Sequence, residues 1–115
     1  MSLLVNVFKR GPDDEMLFIK VEQHKELAGF ENWRETLYGS PQSVLLGLRL
    51  LPELNRHDLY CSSPTDLDCL LTECNTLLAH LDRYPQDSES ITYRVQNIID
   101  AVILARESEA EVVIW

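Results

Sequence analysis

Glu111-Val112-Val113-Ile114-Trp115 is the stretch on which the fold turns. Four apolar residues in a row put two side chains on each face of a strand, so both faces need cover. Exposed, such a segment is a template for aggregation. It therefore belongs inside a sheet, and its natural neighbours lie near residue 1. Leu3 to Phe8 is rich in Leu, Val and Phe and reads as a strand. Met16 to Val21 alternates, with Leu17, Ile19 and Val21 on one face and Lys20 on the other. Arg10-Gly11-Pro12-Asp13-Asp14 between them is a turn cluster, so the two strands form an antiparallel hairpin. The strand at 111–115 is expected beside this hairpin, with Trp115 ordered.

The middle of the chain reads as helices. Residues 24–40 hold a short helix, in which Phe30, Trp33 and Leu37 recur at helical spacing and Gly39 is the terminator. Ser40-Pro41 restarts the chain as N-cap and first helical residue. Val44 to Leu51 is apolar almost all round, which predicts a central helix, with Gly47 allowing close approach and Pro52 as its stop. Ser63-Pro64-Thr65-Asp66 is a second such start. The helix after it carries an unbroken stripe: Leu67, Leu70, Leu71, Cys74, Leu77, Leu78 and Leu81. A further helix from about Ser90 to Arg106 buries Ile91, Val95, Ile98, Ile99 and Val102, with Tyr93, Asn97, Asp100 and Leu104 opposite. The last two helices form an antiparallel hairpin. The expected architecture is α+β: a small sheet made of the N-terminal hairpin plus the C-terminal strand, packed against four helices. The order is ββααααβ, with an optional short strand over 58–61.

All 115 residues fit a single globular domain, long enough to bury a core without a staple. Three unpaired cysteines give no disulfide framework, and no basic leader precedes the apolar start. No apolar run approaches the ~20 residues of a membrane helix. A cytoplasmic protein is expected. Charge is the unusual feature: 19 acids against 10 bases, a net of −9. Residues 1–57 hold 8 acids and 7 bases, whereas residues 58–115 hold 11 acids and only Arg83, Arg94 and Arg106. So acidic a chain argues against nucleic acid and against anionic membrane, since both demand Lys and Arg.

Catalytic motifs are scarce. Gly11, Gly29, Gly39 and Gly47 are too far apart for a phosphate loop. No nucleophile elbow, zincin pair or calcium loop occurs, so no cofactor or metal is expected. His57, Asp58 and Cys61 are close enough for a thiolate nucleophile or a metal pair, but nothing beside them completes either. Loop histidine and core thiol is the plainer reading.

The remaining chemistry is recognition. Asp58, Tyr60, Asp66, Asp68 and Glu73 are the expected acidic side, and Trp33, Arg34 and Tyr38 are of the types found at interface hot spots. These point to a non-catalytic module that docks a basic partner protein. The class is that of acidic inhibitors or bacterial immunity-type proteins, an analogy resting on size and charge. The alternatives are a small enzyme using Cys61 and His57, or a homo-oligomeric subunit in which Tyr93 and Leu104 meet a symmetry mate. The module itself is expected as a monomer or homodimer.

Overall fold

The computed structural model describes residues 2–115. Its core is an antiparallel sheet built around one long strand, β1 (Ser2–Arg10). On one edge of β1 lie β2 (Met16–Ile19), paired through Val7↔Ile19 and Arg10↔Met16, and β3 (Leu27–Phe30), paired through Ser2↔Phe30 and Leu4↔Leu27. On its other edge lies β5 (Glu111–Ile114), followed by β4 (Leu59–Cys61) at the sheet margin. The expectations for the hairpin, the interior strand and the extra short strand agree with this sheet. Mutual Leu4–Trp115 backbone hydrogen bonds of 2.8 and 2.9 Å carry the β1–β5 ladder to Trp115.

Among the described residues three α-helices accompany the sheet: α1 (Pro41–Leu45), α2 (Pro64–Leu78) and α3 (Ser88–Ser108). The Ser63 hydroxyl caps α2 by accepting from the Asp66 N–H at 3.1 Å, and the Asp87 carboxylate caps α3 by accepting from Ser90 at 2.9 Å. Leu67, Leu70, Cys74 and Leu77 of α2 meet Ile91, Val95, Ile98 and Val102 of α3 in one core. Leu3, Val5 and Val7 of β1, Leu59 and Cys61 of β4, and Val112 and Ile114 of β5 complete that core from the sheet.

Two of the four expected helices are corrected. The short α-helix expected within 24–40 is reduced to one helical turn, which does end at Gly39. The segment is a 3₁₀ turn (Gln23–Glu26), strand β3 and a single π turn (Arg34–Tyr38). Gly29 explains the break: its φ is +141°, and a Cβ there would lie 2.5 Å from the Trp33 ring. Two carbonyls of β3 are then claimed by side chains distant in sequence. Asn97 Nδ2 donates to Leu27 O at 2.9 Å, and Tyr38 Oη donates to Ala28 O at 2.6 Å.

The expected central helix over 44–51 is also corrected. It stops at Leu45, and Leu45 is 79% exposed. Gly47 sits at φ +86° with open space around it, so it serves a turn and not a close approach. Pro52 lies at the start of a 3₁₀ helix (Leu51–Asn55), where a missing N–H costs nothing.

Candidate protein-binding surface

The sheet has one face covered by helices and one that no helix among the described residues covers. Strand alternation puts Asn6, Phe8, Phe18, Tyr60, Val113 and Trp115 on the uncovered face. Its rings form a chain: Phe8 meets Tyr60 edge-on at 6.4 Å and Phe18 at 6.3 Å, and Phe18 meets Trp115 at 5.8 Å. The Arg10 guanidinium lies over Phe8 at 5.1 Å, and Trp115 Nε1 donates to Asn6 Oδ1 at 2.9 Å. Phe8 and Val113 are sealed by these neighbours, while Phe18 stays 50% and Tyr60 45% exposed.

Tyr60 ends this row and borders a shallow depression. Its other walls are Leu50, Glu53, His57, Asp58, Leu59 and Asp66. The 3₁₀ helix Leu51–Asn55 supplies Glu53, the loop into β4 supplies His57 and Asp58, and the first turn of α2 supplies Asp66. Three carboxylates from three separate elements thus line one depression together with an exposed aromatic. Asp58 is held by Arg34 Nη2 at 2.8 Å, and Glu53 is 3.5 Å from His57 Nε2. Asp66 has no cation partner among the described residues. The Cys61 thiol registers this environment. Burial first, then the negative charge of Asp66, Cys69, Glu73 and Glu53, pushes it up to about 12.

Of the residues expected on the acidic side, Asp58, Tyr60 and Asp66 come together here. Asp68 lies farther along α2, paired with Arg106 of α3 at 3.2 Å. Glu73 is not on the surface, being only 5% exposed. Its carboxylate accepts from the backbone N–H groups of Arg49, Leu50 and Leu51 at 3.0–3.1 Å and from the Cys69 thiol at 3.5 Å. It ties α2 to the turn before the Leu51–Asn55 helix. This is a structural duty, met because a buried carboxylate needs several donors.

The expected aromatic anchors are structural too. Tyr38 is wholly buried and Trp33 nearly so. Their rings meet edge-on at 6.3 Å, and Trp33 meets Phe30 at 5.4 Å, with Arg94 over Phe30 at 4.4 Å. Arg34 is a clamp. Besides Asp58 it donates to Glu31 at 2.6 Å, Leu54 O at 3.1 Å and His57 O at 3.2 Å, which fixes the loop carrying Asp58. Burial opposes the Arg34 charge, and the bonds to Asp58 and Glu31 more than offset it, so its pKa lies above the ordinary value.

Sequence reasoning passed over Glu53 and Leu50 as site residues. Only the fold brings them beside Tyr60, and an acid after a proline is no signal by itself. Cys61 faces the helices inside the core, while His57 is exposed on the loop. Among the described residues no cluster of His, Cys, Asp and Glu is arranged to hold a metal ion. No helix among them is long and apolar enough to cross a membrane. Tyr93, expected with Leu104 to meet a symmetry mate, binds within the chain: it and Asn97 both donate to His24 O, at 3.1 and 3.0 Å. Comparisons with protein-family models, with curated proteins and with solved structures return no match.

Proposed function

We propose that the chain is a non-catalytic, cytoplasmic protein-binding module of the acidic inhibitor or immunity type. It docks a basic partner protein through the depression around Tyr60. One observation carries the reading: Glu53, Asp58 and Asp66, from separate elements, line one depression with an exposed tyrosine. An aromatic anchor with a carboxylate rim suits a cationic protein, since the rim steers encounter and the ring supplies contact area. The cysteines support the non-catalytic part. Cys61 and Cys74 are buried, and burial holds both thiols above their ordinary value, away from the thiolate a nucleophile needs.

The test is co-purification from native lysate at low salt, with wild type beside an Asp58→Lys/Asp66→Lys double variant. A basic protein retained by wild type, released by a rise to about 0.5 M salt and lost with the variant is the expected result. Equal retention by both proteins, or retention indifferent to salt, sinks the acidic docking surface.

A further inference from the structure

The margin of the sheet beside this depression carries a second property. Leu4 and Trp115 exchange both of their backbone hydrogen bonds, so residue 115 aims its N–H and C=O at β1. In an antiparallel ladder this direction alternates along the strand. Glu111 and Val113 therefore also address β1, while Val112 and Ile114 address β4. Their partners on β4 are Cys61 and Leu59. The backbone of Tyr60, between them, points the other way, off the edge of the sheet.

We propose that the basic partner enters as an extended strand that adds to the open edge of β4, exchanging backbone hydrogen bonds with Tyr60. This rests on the docking reading above and makes it specific. An added strand alternates its side chains between the two faces of the sheet. On the uncovered face they lie beside the Tyr60 ring, and on the helix face they lie beside Glu53 and Asp66. The occupant is thus a segment in which apolar and cationic residues alternate, the cations toward the carboxylates.

The same charges argue against a second copy of this chain. Pairing β4 with its own symmetry mate brings two sets of Glu53, Asp58 and Asp66 together, and like charges juxtaposed at an interface are costly. The opposite margin is built differently: β2 ends the sheet beside Lys20, and its preceding turn is Asp13-Asp14-Glu15. The edge of β3 is closed, since Asn97 and Tyr38 occupy Leu27 O and Ala28 O.

The probe is a short peptide of alternating arginine and valine with blocked ends, titrated at low salt while amide exchange is followed by NMR. Binding is expected to slow exchange of the Tyr60 amide about tenfold or more. Two N-methylated versions sharpen the test, one methylated on every arginine nitrogen and one on every valine nitrogen. Only one set faces β4, so one version is expected to lose at least about tenfold in affinity while the other binds normally. Tyr60→Pro deletes the edge donor without touching the bonds to β5 and is expected to abolish binding, whereas Tyr60→Ala keeps the donor and weakens binding less.

Equal binding of both methylated peptides with no change at the Tyr60 amide overturns strand addition. If Asp58→Lys/Asp66→Lys still removes that binding, the acidic docking reading survives it. Protection at Phe18 instead assigns the strand to β2 and also overturns the proposal. No binding by any peptide at low salt overturns both readings.

Discussion

The two faces of one sheet solve burial differently. The helix face presents Leu3, Val5, Val7, Leu59, Cys61, Val112 and Ile114, compact side chains that interlock with α2 and α3. The uncovered face presents wide rings, Phe8, Phe18, Tyr60 and Trp115, laid over one another and over Val113. Aliphatic side chains need a second layer to exclude water from them. Aromatic side chains cover their own neighbours and keep polar handles, as Trp115 does toward Asn6. The lesson is that a sheet without a second helix layer is not a sheet with a polar back. Its apolar back is partly sealed, with Phe18 and Tyr60 left about half exposed.

The comparison predicts a graded response to truncation. Leu70→Ala, in the helix layer and fully buried, is expected to cost about 2–5 kcal/mol, read as a lower urea midpoint with an unchanged slope. Phe18→Ala, half exposed on the other face, is expected to cost about 1 kcal/mol, roughly the value of an aromatic pair contact. A Phe18→Ala loss equal to that of Leu70→Ala would mean that the uncovered face is a full second core.

Cys61 and Tyr60 are chain neighbours on opposite faces, which gives a pH test. The folded Cys61 thiol stays protonated up to about 12, against 9.0 for an ordinary thiol. The unfolded thiol ionises first, so stability is intact below about pH 9 and declines as pH rises toward 12. Urea midpoints measured across that window are expected to fall, and to fall less steeply in Cys61→Ala. Alkylation of the native protein should mark the half-buried Cys69 before Cys61 or Cys74. Fast labelling of Cys61 would contradict its place on the helix face. The smallest effect belongs to the outer surface: Asp68→Asn breaks an exposed pair with Arg106 and is expected to change stability by less than about 1 kcal/mol.

Legibility followed the range of the interactions. The hairpin β1–β2 and the helical pair α2–α3 were readable because their periods of about 2 and 3.6 are local properties of the chain. At 24–40 the same logic misled. Phe30, Trp33 and Leu37 have helical spacing, yet Gly29 turns the backbone, and Asn97 and Tyr38 take up the carbonyls of β3. For the site, Asp58, Tyr60 and Asp66 were legible as acids and an aromatic near a loop. Glu73 was legible as an acid off the leucine stripe but not as a buried one, because the donors that bury it come from Arg49, Leu50 and Leu51.

By itself the sequence determined that Val112, Val113 and Ile114 must be covered on both sides, and hence that 111–115 is an interior strand beside the hairpin. The reason is composition: a run with no polar residue tolerates water on neither face. Only the tertiary structure decided what covers each side, helices for Val112 and Ile114, rings for Val113. It alone also decided which of the 19 acids share a surface. Charge is additive along a chain, but a field depends on distances, and those are set by packing between residues far apart in sequence.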